Sequence, residues 1–312
     1  MTGGAGFIGS SLCECLLTKD YHVICFDNLS AGSRSNLSRI LTRRDFVLVE
    51  GDCKSEHDLA TVERDIDVVF HLSANPEVRP DRVDPNTCFT ENILATKNVL
   101  ESVRRSSASI LVFASSSTVY GDALVHPTAE DYAPLLPISI YGASKLASEA
   151  LISGYARTYG LKAIIFRLAN VVGPKSNHGV VPDFMEKLKG NAEELEILGD
   201  GTQTKSYLHV DDCVMAMTRE CSANDSVSTF NLGAEDQINV RTVADIVCEE
   251  MGVKPHYTFT GGVDGGRGWR GDVKNMLLDI SKLESVGWKP KCNSAEAVRK
   301  TVQELLQKRV GT

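Results

Sequence analysis

The 312-residue sequence contains no CxxC pair, although it has nine cysteines. Cys13 and Cys15 stand two apart without a histidine or carboxylate at metal-ligand spacing, so a zinc site or a dithiol redox motif is not indicated. An odd cysteine count with no signal peptide reads as reduced, mostly buried thiols in a cytoplasmic protein. No uninterrupted apolar run approaches the ~20 residues that span a bilayer. Nor is there a basic surplus: 33 Lys and Arg face 41 Asp and Glu, a net charge of −8, which argues against a nucleic-acid surface. A diphosphate site is still allowed, because such sites are built locally from glycine amides, helix N-termini and one or two arginines. Internal repeats and low-complexity tracts are also lacking, and Gly261–Gly266 reads as a loop. The last absence is structural. A dinucleotide loop normally follows a buried strand, yet only Met1 precedes the glycine run here, so the first strand is expected to be missing, as in a truncated form of a longer protein.

What is present is ordinary for a soluble globular protein: 42% hydrophobic and 24% charged residues. The length suits one large domain and one smaller. The run Thr2-Gly3-Gly4-Ala5-Gly6-Phe7-Ile8-Gly9 places Gly3, Gly6 and Gly9 at the spacing of a dinucleotide loop. A helix with Leu12, Leu16 and Leu17 on its apolar face follows. Val23–Asp27 reads as a strand ending in an acid. Asp27 there suits the adenosine ribose hydroxyls and favours NAD over NADP, and Asn28 follows it. Arg34 in the same loop has the sign to meet a 2′-phosphate; Asp27 outweighs it. Further strands are expected at 46–50, running into Gly51-Asp52-Cys53, and at 67–74. A helix is expected from about 86 to 106. This alternation implies right-handed crossovers and an α/β fold with a doubly wound parallel sheet.

A third pattern carries chemistry. The apolar run Ile110–Ala114 reads as a buried strand ending in Ser115-Ser116-Ser117-Thr118-Val119-Tyr120-Gly121. Tyr141 and Lys145 open a helix that runs to about Tyr159. Four apart, they share one helix face. An ammonium there can lower the phenol's pKa from its usual ~10, and a strand-end serine can relay the proton. That is a general base for an alcohol.

Together these pieces resemble the extended short-chain dehydrogenase/reductase family and, within it, the NAD-dependent nucleotide-sugar epimerases. The resemblance covers essentially the whole chain. It implies a Rossmann-type NAD-binding domain over 1–172, with a possible later strand returning from 207–235, and a smaller nucleotide-sugar domain over 173–312. It assigns catalysis to Ser116, with Ser117 as the near alternative, and to Tyr141 and Lys145. Gly3, Gly6, Phe7, Ile8, Gly9, Asp27, Asn28, Asp52, Cys53, Leu72, Ser73, Ala74, Asn92, Tyr141 and Lys145 would bind the cofactor. Ser116, Ser117 and Asn170 would meet the substrate, and Val180, Val181 and Phe184 would cover a uracil. Lys205 and Tyr207 come from a stretch similar to the family's GDGxQxRDY, with Lys205 in place of Arg and Ser206 in place of Asp. Asp272 belongs to an RxGD-like element in which Trp269 stands at the usual arginine, so Arg267 or Arg270 would meet the diphosphate. Met276 falls where residue size decides whether an N-acetyl sugar fits.

The implied function is 4-epimerisation of a UDP-sugar, UDP-galactose and UDP-glucose first, UDP-N-acetyl sugars next, by a homodimer packed through the helices at 86–106 and 139–159. The acid pair of the family's 4,6-dehydratases is absent, since Ser117 and Thr118 occupy those positions. A non-catalytic dinucleotide sensor is the reading from another class.

Overall fold

The β-branched and aromatic runs become strands and the segments between them become helices. The computed structural model describes residues 1–63, 65–82, 84–219 and 226–310. In chain order come α1 (Phe7–Leu17), β1 (Val23–Asp27), β2 (Phe46–Glu50), α2 (Glu56–Leu59), β3 (Val68–His71), α3 (Pro85–Cys88), α4 (Ala95–Arg105), β4 (Ile110–Ser116), α5 (Ile140–Tyr159) and β5 (Lys162–Leu168). They are followed by β6 (Asn170–Val172), α6 (Val180–Gly190), β7 (Glu194–Ile197), β8 (Thr204–Lys205), β9 (Tyr207–His209), α7 (Val210–Met217), β10 (Val227–Leu232), β11 (Ile238–Asn239), α8 (Val240–Met251), β12 (His256–Phe259), β13 (Asn275–Met276), α9 (Ser281–Ser285) and α10 (Ser294–Val310). None of these helices is long and apolar enough to cross a membrane. The eight described cysteines are free thiols, and Cys221 lies outside the described residues.

The chain divides into two compact units. The first contains Met1–Val119, Ile140–Arg167 and Val214–Phe230; the second contains Tyr120–Ser139, Leu168–Cys213 and Asn231–Thr312. One crossing at residue 172 therefore becomes an interleaved path. Part of the 207–235 stretch returns as β10, which lies beside β5 in the sheet order β10-β5-β4-β3; residues 220–225 of that stretch lie outside the described ones.

In the first unit β1 pairs with β2 in parallel, as β3 does with β4. The expected gap at the first strand is filled in miniature. Thr2 bridges Phe26 on one side and His71 on the other, both parallel. The Phe26 N–H donates to Met1 O at 2.7 Å, the Thr2 N–H to Phe70 O at 2.9 Å and the Leu72 N–H to Thr2 O at 3.1 Å. This three-residue stub joins the pairs into the order β2-β1-stub-β3-β4-β5-β10, that of a Rossmann-type doubly wound sheet. Phe26, Phe113, Ile152 and Ile165 form the core on one face. The helix expected over 86–106 is interrupted by a π-turn, Phe89–Leu94. There the Thr96 hydroxyl donates to the Asn92 carbonyl at 2.5 Å and the Ser148 hydroxyl at 3.3 Å, which holds the backbone open. On the outer side of α5, Ile93, Ala147, Leu151 and Tyr155 are among the residues lining an open, apolar groove of about 570 Å³.

The second unit packs α6, α8 and α10 around Met185, Leu195, Val247 and Val298. Its strands form three small sheets: β11-β8-β13, β12-β7 and β6-β9.

Candidate active site

The glycine loop is shaped for close approach. Gly3 sits at φ +70°, and a Cβ there would lie 2.6 Å from the Ser73 nitrogen; at Gly9 it would lie 2.1 Å from the Gly3 carbonyl oxygen. Gly6 caps α1 with no side-chain hydrogen bond, which leaves the first-turn amides of an eleven-residue helix open to an anion. Asp27 accepts from the Ala5 N–H at 2.9 Å and the Leu29 N–H at 2.8 Å, tying the loop to the end of β1. Arg34 pairs on the surface with Glu50, the in-register neighbour of Asp27 on β2, which offsets its charge.

Beside the loop lies a cavity of about 160 Å³ whose lining includes Asn28, Asp52, Cys53, Ser73 and Ala74. It also includes Lys54, Asn75 and Glu91, which motif spacing does not reveal. Asn75 becomes legible only through Asn92. The Asn92 side chain, 2% exposed, accepts from the Asn75 N–H at 2.8 Å and donates to the Ser144 hydroxyl at 2.8 Å. It thereby links the end of β3 to the helix that carries Tyr141. These residues, with the open α1 terminus, suit the phosphates and adenosine of a dinucleotide.

At the end of β4, the Ser116 hydroxyl accepts from the Thr118 hydroxyl at 3.0 Å and lies near enough to the Tyr141 phenol to favour its ionised form. That contact distinguishes Ser116 from Ser117. Lys145 is buried, donates to the Ala114 carbonyl at 2.9 Å, and sits 4.9 Å above the Phe113 ring and 5.9 Å from the Tyr141 ring centroid. The expected depression of the phenol's pKa is not found in the protein alone. Burial pushes Tyr141 up to about 12 and the Ser116 hydrogen bond offsets this only in part. The ammonium is turned toward Ala114, so desolvation outweighs it. Burial also pulls Lys145 down to about 8, against the nearby Glu149 carboxylate, which raises it. Behind them His71 is enclosed, bonded to Thr2 at 2.7 Å and Thr96 at 3.0 Å. Desolvation and the Lys145 charge push it down to about 3, so it stays neutral.

In the second unit another polar cluster forms around Asp272, which is 3% exposed. Lys205 meets its carboxylate at 2.5 Å, and the Gly268 N–H donates to it at 3.2 Å. Arg267 makes a two-pronged pair with Asp122 at 2.9 and 3.0 Å and donates to the Asp272 carbonyl. Arg270, the alternative for the diphosphate, has a side chain 81% exposed and only a 4.0 Å contact with Asp264. Arg267 is thus the arginine of the cluster. Lys205 also lies 5.5 Å from the Trp269 ring centroid, a cation–π contact. Met276 pairs in register with Lys205. Asn170 stands opposite Tyr207 in the β6–β9 ladder, and its buried Nδ2 has no hydrogen-bond partner, the mark of a donor awaiting a ligand.

Val181, Phe184 and Tyr207 are buried in the second unit's core, at 1%, 2% and 5% exposure. Val180 packs on the same core but is only partly buried.

Comparison with known proteins gives the same reading at family level. A putative UDP-glucose 4-epimerase of Methanocaldococcus jannaschii is 34% identical over 307 residues, covering 97% of this chain and 96% of the relative. A solved UDP-galactose 4-epimerase is 42% identical with a TM-score of 0.88, covering 98% of both chains. A UDP-glucuronic acid 4-epimerase from Bacillus cereus, solved with UDP-glucuronic acid and NAD, is 27% identical with a TM-score of 0.88 and also covers 98% of both. The sequence profile of the NAD dependent epimerase/dehydratase family matches residues 1–233. With its glycine cradle, Rossmann-type sheet and Ser116–Tyr141–Lys145 group, the chain belongs to that NAD-dependent family of enzymes.

Proposed function

We propose that the protein is a UDP-sugar 4-epimerase that interconverts UDP-galactose and UDP-glucose through a transient 4-keto sugar. The observation that carries this reading is the grouping of Ser116 and the buried Lys145 around the Tyr141 phenol, with Lys145 5.9 Å from its ring centroid. Residues at the glycine loop, Asp27 and the cavity around Asp52 and Ser73 would hold NAD. When bound, NAD would supply the hydride acceptor. Tyr141 takes the proton from the sugar 4-hydroxyl and returns it to the 4-oxygen, Ser116 orients that hydroxyl, and Lys145 stabilises the phenolate. In the second unit Asn170, Lys205 and Arg267 have the chemistry for a diphosphate, and Asp272 that for ribose hydroxyls.

Elimination of water has no support in Ser117 and Thr118, which offer no carboxyl group. The UDP-glucuronic acid epimerase similarity supports a uronic acid as the second reading. With NAD and UDP-galactose, purified protein should form UDP-glucose, followed by chromatography; turnover of UDP-glucuronic acid or UDP-N-acetylglucosamine alone would overturn the sugar assignment. Binding of a UDP-sugar with no turnover would favour a sensor.

The apolar groove on α5 supports a homodimer, because an unpartnered stripe of this kind is a usual subunit contact. Leu151→Glu should then leave a monomer in light scattering, whereas an unchanged mass would remove the groove from the interface.

A further inference from the structure

One buried charged pair in the first unit has no part in the chemistry above. Glu149 lies on α5 one turn beyond Lys145, on the same face. Its carboxylate meets Arg167 of β5 through two nitrogens, at 2.8 Å and 3.1 Å, and both side chains are only 7% exposed. The Ser115 hydroxyl donates to the same carboxylate at 2.5 Å. Ser115 precedes Ser116 directly, and Ala114, just before it, accepts from Lys145. Two neighbouring residues of α5 therefore grip consecutive residues of β4, immediately before the hydroxyl that meets Tyr141.

We propose that Glu149 is a positioning residue of the reaction: anchored by Arg167 and Ser115, its carboxylate places a fixed negative charge one turn from Lys145 and holds the end of β4 that carries Ser116. The inference rests on the epimerase reading for its kinetic arm only. The groups that bear on Lys145 are few. On α5 they are Glu149, which favours its charge, and Tyr141; on β3 it is His71, held neutral; from β5 Arg167 acts on it through Glu149. Phe113 and the Ala114 carbonyl complete the surroundings on β4. Among these groups Glu149 is the carboxylate, so its neutralisation must lower the pKa of Lys145.

The test compares Glu149→Gln, Glu149→Asp and Ser115→Ala in the NAD-loaded protein. Glu149→Gln should move the high-pH limb of kcat/KM down by about one pH unit, with KM and NAD affinity little changed. Glu149→Asp keeps the charge and should leave that limb in place while sharing a loss of kcat. Ser115→Ala should lower kcat about tenfold at constant KM and leave the limb unmoved. An activity-free arm separates this from the function itself. Folded Lys145 titrates lower than a free lysine, so the unfolded chain binds more protons between pH ~8 and ~10.5, and stability gains with rising pH there. Measured as the difference in Tm from the matched Lys145→Met protein, that gain should begin about one unit lower in Glu149→Gln. A folded Glu149→Gln protein with unmoved limb and unmoved stability gain overturns the proposal, as does wild-type kcat in Ser115→Ala, which also decides the matter if Glu149→Gln does not fold. Absence of turnover by the wild-type protein on any UDP-sugar would overturn the proposed function and leave the stability arm standing.

Discussion

Tyr141→Phe should lower kcat about 10³-fold while changing KM for the UDP-sugar by no more than about threefold. The substitution deletes one oxygen. It leaves the ring in place on α5 and touches none of the residues of the second unit proposed to hold the nucleotide. The loss falls on the transition state alone, because the phenolate's interaction with the departing proton does not exist in the ground state. The pH dependence has a definite sign. In the protein alone Tyr141 sits up at about 12 and Lys145 down at about 8. Activity requires the opposite charges, phenolate and ammonium, so it should rise with pH as the phenol ionises beside the bound cofactor and fall as Lys145 loses its proton. Steady-state kinetics with UDP-galactose measures both. Retention of more than a tenth of the wild-type kcat would remove Tyr141 from the role of base.

Gly9→Ala should weaken NAD binding about 100-fold and destabilise the protein by roughly 1–3 kcal/mol. Its new Cβ would lie 2.1 Å from the Gly3 oxygen and 2.8 Å from the Gly4 Cα. Both obstacles are backbone of the same loop, so no side-chain rotation relieves them and the loop must open. Opening moves the amides at the start of α1 off the diphosphate. It also disturbs the strand stub, since Gly3 donates to Phe26 and Thr2 bridges two strands. Calorimetric titration with NAD and a thermal melt check the two effects. A control at Gly190, where an added Cβ would meet nothing within 4 Å, should change neither NAD binding nor the melt by a comparable amount. Wild-type NAD affinity in Gly9→Ala would mean that the cofactor does not sit over this loop.

Local pattern carried much of the architecture. Val23–Asp27 and Phe46–Glu50 are strands with the bounds that their apolar runs suggest, and the helix opened by Tyr141 ends at Tyr159. These elements are legible because strand and helix periods are short and depend on near neighbours. The same reading fails at the π-turn over 89–94, whose cause is hydroxyls of Thr96 and Ser148 that bond the Asn92 carbonyl. One of these comes from a helix more than fifty residues away.

The sequence by itself determined the family, the NAD loop, the Ser–Tyr–Lys group and the parallel α/β plan, because each is written in glycines or side chains at fixed short spacing. Tertiary structure alone decided the rest. It brought Ser116 to the Tyr141 phenol and set Arg267, rather than Arg270, in the Asp122–Asp272 cluster. It turned three residues at the start of the chain into the centre of a sheet and paired Glu149 with Arg167 behind Lys145. Each of these depends on which distant residue a side chain or a bare amide meets, and burial and hydrogen-bond partners at long sequence separation are set only when the strands and helices pack.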